Sequence, residues 1–398
     1  MLKCIRIKNL RSIKEQEIEV APVTVLYGPN ASGKSTLLHA LAILRNVMMN
    51  PNQPLDSFFN LLFANFGGFE QVVFNHIPDE QIELEIDSIQ DSAIITYKVV
   101  LSKTKGGFSI RVSDPFKAAS KIETTFPYQA NIQQNITVKY DEIPLTVTWN
   151  GILAQPLGTP EAPEAAERLA TLLNSPIEEL RKTDFVHIKR GFSHPHYGTV
   201  SLTSALFTEG EVATLLASDP YLEGKVSHYL EQILGRDLRV RVTPATALFW
   251  LRTTDKMTGL STELVNDGFG VNQLVYLLAK CLRKDTSLIC IEEPEIHLHP
   301  KALRNLVYEL VKLVKEECKT LIISSHSDHF VVYLLSAVAK KQISPDEVAC
   351  YLCTKTKEGT TFERQRVQPD GRMEGGLSSF MEGELEDLKT ILSLSKEE

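Results

Sequence analysis

One stretch of the chain, Tyr27-Gly-Pro-Asn-Ala-Ser-Gly-Lys-Ser-Thr36, constrains the fold more than any other. It spaces Gly28, Gly33, Lys34 and Ser35 as G-x-x-x-x-G-K-S. An apolar run, Val23 to Tyr27, precedes it and reads as a buried strand; Leu37 to Met49 follows with the apolar spacing of a helix. A strand, a glycine loop and a helix in that order is the setting in which this spacing makes a phosphate-binding loop. The glycines let backbone N–H groups close around a β-phosphate, and the helix N-terminus adds partial positive charge. Gly28, Pro29, Asn30, Ala31, Ser32, Gly33, Lys34, Ser35 and Thr36 are therefore the expected nucleotide contacts. Lys34 is placed to reach the β and γ oxygens, and Ser35 to bind Mg²⁺. The loop predicts a nucleoside triphosphate as ligand.

ATP and a metal also require a carboxylate at the end of a neighbouring parallel strand. The segment Leu288-Ile-Cys-Ile-Glu-Glu-Pro-Glu295 supplies it. Glu292 is expected at the metal and Glu293 at the attacking water, as general base or orienter. Alternation along a strand is expected to send them in opposite directions. The next strand ends in Ser324-Ser-His-Ser-Asp328, which places His326 to touch a γ-phosphate or the attacking water. In Asn266-Asp-Gly-Phe-Gly-Val-Asn-Gln273, Gly268 and Gly270 open an apolar helix whose free N–H groups form a second anion site. One phosphate loop already serves the chain, so this helix makes most sense completing a partner subunit's site. His297 and His299 lack a matching carboxylate or cysteine set and read as turn and subunit-contact residues.

Composition narrows the setting. The 398 residues are 43% apolar and 23% charged, enough to bury two or three packed lobes. A net charge of −8 argues against a protein coated in nucleic acid and leaves room for one basic surface. The candidate is Leu234 to Lys256, with Arg236, Arg239, Arg241, Arg252 and Lys256, although an edge strand guarded by charge explains it equally well. No run of eighteen apolar residues occurs, and the alternating, charged N-terminus is not a signal peptide, so a cytoplasmic protein without membrane contact is expected. Cys350 and Cys353 form the one C-x-x-C pair, inside a strand-like run that sends them to opposite faces.

The pattern predicts an α/β fold in three parts. Residues 1–158 carry the phosphate loop and a set of alternating strands suited to an antiparallel sheet. Residues 159–260 shift to helix formers and read as a mainly helical insertion. Residues 261–398 return to alternating helices and apolar strands, the signature of a parallel sheet, and end in a glutamate-rich helix from Leu377.

The order of phosphate loop, aromatic-glycine connection, glycine-opened helix, "IEEPEIHLHP" and "SSHSDHF" resembles the ABC-type ATPases of the RecF, SMC and OLD group. It is most similar to stand-alone AAA-ATPase-like members found beside nucleases in prokaryotic defence loci. The resemblance covers about residues 1–76 and 261–398. It implies a P-loop NTPase with an ABC/SMC-like head, a mixed sheet, an antiparallel β subdomain and a helical insertion. It further implies a head-to-tail dimer with ATP held between one subunit's phosphate loop and the other's signature helix. Matched by position, Lys34, Ser35, Glu292, Glu293 and His326 take the family's site roles, Gly268 and Gly270 lie in the signature, and Gln71 stands for the Q-loop residue. Three departures matter: Glu292 replaces the usual Asp, the signature lacks LSGGQ with no SMC-length coiled coil, and no nuclease domain fits after His326. The implied function is a nucleotide-driven dimer that hydrolyses ATP and controls an effector such as a nuclease, or engages DNA, in anti-phage defence. The alternatives are a low-turnover, nucleotide-gated sensor and a RecF-type repair ATPase. A transporter subunit fits less well.

Overall fold

The runs Val23–Tyr27 and Leu288–Glu292 are buried at every position, as strands covered on both faces require. They lie inside a six-stranded sheet ordered Thr183–Val186, Leu288–Glu292, Thr320–Ser325, Val23–Tyr27, Val348–Thr356 and Gly359–Gln365. The first five strands are parallel and the last pairs antiparallel, giving the expected mixed sheet. The computed structural model describes the chain except residue 62 and residues 114–121, 129–133, 141–142, 158–161, 204–205, 207, 243–247 and 375–398. The helix expected from Leu377 and the expected division at 158/159 lie outside the described residues.

Alternate residues of the mixed sheet feed two cores. Leu26, Leu288 and Cys290 enter one; Val25, Ile289 and Ile291 enter the other. Cys350 and Cys353 divide in the same way, which takes them to opposite faces. On the first side lies an antiparallel sheet ordered Ile13–Glu19, Leu2–Leu10, Ile82–Gln90, Ala93–Leu101, Gly106–Ser113 and Ile122–Phe126. Its strand Ala93–Leu101 alternates fully buried residues with partly or fully exposed ones, as a sheet packed on one face does. Helix Lys34–Met49 contributes to this core. Helices Phe269–Cys281, Pro300–Glu316 and Asp328–Ala339 cover the opposite face. Among the described residues no helix is long and apolar enough to cross a membrane.

The elements of residues 159–260 are shared between the two sides. Helix Pro163–Arg181 buries Leu169, Leu173, Ile177 and Leu180, a stripe at helical spacing, against the antiparallel sheet's core. Thr183–Val186 becomes an edge strand of the mixed sheet. Helices Glu209–Ser218 and Pro220–Leu234 join the second core, and Arg236–Val242 pairs antiparallel with Leu248–Asp255.

Register places the site. Glu292 pairs with Ser324, and Ser325 pairs with Tyr27, so three parallel strands end almost level. Glu293, His326 and Gly28, the next residue of each strand, therefore leave the sheet at one edge.

Candidate functional site

The loop after Tyr27 turns through Gly28 at φ 146°, Ala31 at φ 60° and Gly33 at φ 94°. A side chain at Gly28 would place its Cβ 2.3 Å from the Cys353 carbonyl oxygen, and one at Gly33 would meet Thr360 Oγ1 at 2.4 Å. Both glycines are thus required by close approach as well as by backbone angle. Lys34 is buried, and its ammonium donates to the carbonyl oxygens of Gly28 and Pro29, each at 2.8 Å. Burial pulls its pKa below the ordinary value, against the opposing charges of Glu293 and Glu295. Lys34, Ser35, Arg11, His39, Gln71, His326 and the turn around Lys355 to Gly359 border a cleft of about 760 Å³.

Two hydrogen-bonded chains converge on the paired glutamates. In the more open one, the Lys34 ammonium lies 3.1 Å from His326 Nδ1, and His326 Nε2 lies 2.5 Å from Glu293 Oε1. An ammonium has no acceptor, so Nδ1 carries the lone pair and Nε2–H donates to Glu293. In the buried one, Arg11 Nη1 lies 3.0 Å from His39 Nδ1, and His39 Nε2 lies 3.0 Å from Glu292 Oε1. Burial raises the Glu292 pKa, but hydrogen bonds from His39, Ser35 and the Ile188 N–H outweigh it and hold the carboxyl below its ordinary value. Ser35 and Glu292 are hard oxygen donors of the kind Mg²⁺ takes.

The divergence of the two glutamates has a different cause from the expected one. The strand ends at Glu292, and Glu293 turns out of it with φ 44°, a left-handed backbone costly for a residue with a Cβ. Its N–H donates to the Ser324 carbonyl at 2.8 Å. Arg190 fixes the other side, donating from Nη1 to the Glu292 carbonyl at 2.7 Å and from Nη2 to the Glu293 carbonyl at 2.8 Å. Burial lowers the Arg190 pKa to about 10. Glu295 accepts from Ser325 Oγ at 2.8 Å and from the His326 N–H at 2.7 Å, which ties the two strand ends together. Arg11, His39, Arg190 and Glu295 escape sequence reasoning. Only the third glutamate of "EEPE" and the position of His39, four residues after Ser35 on one helix face, gave any signal.

Other expected residues are placed elsewhere. Gln71 lies at the cleft, where its Oε1 accepts from the Gly68 N–H at 2.8 Å and caps the short helix Phe69–Val72. Gly268, at φ 87°, caps helix Phe269–Cys281, and neither it nor Gly270 borders the cleft. Gly270 packs on its own chain: a Cβ there would meet the His297 carbonyl oxygen at 2.6 Å. Phe269 between them is 75% exposed. His299 caps helix Pro300–Glu316 by accepting from the Lys301 N–H, and His297 packs beside Phe269. In the basic stretch, Arg236 pairs with Asp255 and Asp267, Arg239 with Asp237 and Lys256 with Glu231.

Comparison with solved structures finds the same fold. An SMC head bound to the C-winged helix domain of ScpA is 9% identical, with a TM-score of 0.52 over 92% of this chain and 98% of that one. The SMC head domain from Thermotoga maritima is 11% identical, with a TM-score of 0.46 over 91% and 98%. No curated protein matches by sequence. Residues 23–332, more than half of the chain, match the family described as AAA domain, putative AbiEii toxin, Type IV TA system. A phosphate loop, paired glutamates and a histidine converge at one edge of an SMC-head-like fold, and the chain belongs to this AAA family.

Proposed function

We propose that the chain binds ATP with Mg²⁺, hydrolyses it, and works as an ATP-closed dimer that controls an effector protein. The observation that carries this reading is the linkage of Lys34, His326 and Glu293, which joins the phosphate loop to an acid at the end of the second strand along. Bound Mg²⁺ would neutralise phosphate charge, with Ser35 and Glu292 as its protein partners. Lys34 then faces the phosphates, and Glu293 orients the attacking water and accepts its proton. His326 holds the Glu293 carboxylate through Nε2–H and keeps it aligned with Lys34. Gln71 stands at the cleft as a further contact.

The glycine-opened helix supports sharing between subunits. Gly268 and Gly270 lie off their own chain's cleft, and Phe269 presents a large apolar ring to solvent beside the free N–H groups. A second copy docked head to tail brings that helix start to the open phosphate side. A nuclease as effector, and a role in defence, extend this reading through the family resemblance. DNA contact through the basic stretch, Leu234 to Lys256, has less support, because Arg236, Arg239 and Lys256 are already paired with carboxylates.

The test combines turnover with sizing. Glu293→Gln retains ATP binding while hydrolysis falls by roughly 10²–10⁴-fold, the scale of a lost general base. Unhydrolysed ATP with Mg²⁺ then holds Glu293→Gln as a dimer in sedimentation velocity, and adding Phe269→Glu removes that dimer. A Glu293→Gln protein whose association ignores ATP overturns the shared site. Phe269 is the cleaner probe than Gly270, since bulk at Gly270 would collide with the chain's own His297.

A further inference from the structure

We propose that His39 is a positioning residue for Glu292, and that through His39 the placement of this carboxylate depends on Arg11 at the cleft. The inference rests on the nucleotide-site reading above. Arginine has donors only, so the 3.0 Å contact from Arg11 Nη1 requires a lone pair on His39 Nδ1. The ring proton is then on Nε2, the atom 3.0 Å from Glu292 Oε1. The chain of bonds has one direction: Arg11 gives to His39, and His39 gives to Glu292.

The surroundings hold that direction fixed. His39 is 8% exposed, with Phe63 and Phe66 at ring separations of 5.7 and 4.9 Å. The Arg11 guanidinium lies over the same Phe66 at 4.7 Å. This gives a job to the aromatic-glycine connection, Phe58 to His76, whose Phe63 and Phe66 flank His39 and whose Phe66 also lies under the Arg11 guanidinium. Helix geometry adds the second constraint. Ser35 and His39 are one turn apart and reach the same carboxylate, so the phosphate-loop helix grips Glu292 at two points.

A histidine that merely satisfied a buried carboxylate could end on any backbone carbonyl. Here its far side ends instead on a cation that borders the cleft. Arg11 borders the cleft as a cation, so an anion arriving there meets its charge. Phosphate contact at Arg11 and metal contact at Glu292 thereby become coupled, with His39 as the link.

The experiment measures binding of a fluorescent ATP analogue to the full chain, first in EDTA and then during Mg²⁺ titration. His39→Phe fills the aromatic pocket without either hydrogen bond. It is expected to raise the half-saturating Mg²⁺ concentration by about tenfold, the lower end of the loss seen when a metal ligand's outer partner is removed, and to change metal-free binding by less than that. His39→Gln, whose amide offers a donor to Glu292 and an acceptor to Arg11, restores the Mg²⁺ dependence. Arg11→Ala weakens metal-free binding and also raises the Mg²⁺ requirement. Wild-type Mg²⁺ dependence in a His39→Phe protein of unchanged melting temperature overturns the inference. So does an equal loss in both conditions for Phe and Gln alike, which is the mark of a packing role. Wild-type protein that binds no analogue in either condition removes the nucleotide reading itself and the inference with it.

Discussion

Glu292 and Glu293 are neighbours in sequence, and each is joined through a histidine to a cation, yet the two arms differ in burial and backbone. Glu292 closes a strand, is 9% exposed and meets a histidine walled by aromatic rings. Glu293 stands in a left-handed turn with its side chain 21% exposed, and its histidine side chain is 31% exposed. The same three kinds of group therefore suit two tasks. A buried, triply bonded carboxylate below its ordinary pKa keeps its charge and its place. A more exposed carboxylate, with Oε1 on the His326 ring, suits the proposed role at the attacking water.

Among binding and stability effects, cutting the cation from the open arm gives the largest. Lys34→Ala removes the ammonium that fixes the His326 tautomer and that, in the proposed function, faces the phosphates. ATP affinity by calorimetry should fall about 10- to 100-fold, the scale of a lost charge-assisted bond of about 1.5–3 kcal/mol. Unchanged affinity would make the open arm a structural feature only.

Arg190 supports both arms at once and so tests whether they share a foundation. Arg190→Ala leaves the carbonyls of Glu292 and Glu293 without their guanidinium donor. Thermal unfolding should show a loss of about 1–3 kcal/mol, the cost of buried acceptors left unpaired. Turnover should fall further than in Arg190→Lys, because the strained Glu293 turn relaxes when both carbonyls are released. Equal turnover in the two variants would detach the Glu293 geometry from Arg190.

The smallest effect sharpens the buried side. His187 follows the edge strand, stacks on Phe63 at 5.5 Å and is held by burial at a pKa of about 4, below its ordinary 6.5. The folded state thus binds fewer protons than the unfolded state between those values, and stability falls as pH drops from 6.5 towards 4. His187→Phe should reduce that acid loss by on the order of 1 kcal/mol, since one pKa unit corresponds to about 1.4 kcal/mol and His187 is partly exposed. An unchanged pH profile of the melting temperature would place the acid sensitivity elsewhere.

The sequence alone determined the phosphate loop, the parallel run of apolar strands and the pair of glutamates with a histidine one strand on. Each is local: a fixed spacing, or an apolar run short enough to read as one strand. It also determined that Cys350 and Cys353 part company, because a strand's period of two does not depend on neighbours. The tertiary structure decided what each glutamate touches. Arg11 lies 281 positions before Glu292 and reaches it through His39, while Arg190 holds two carbonyls 102 and 103 positions away. Such contacts have no spacing rule, since they join segments far apart in the sequence that only the folded chain brings together. The left-handed turn at Glu293 is equally hidden from sequence: nothing in a glutamate favours it, and it persists because Ser324 and Arg190 hold it from both sides.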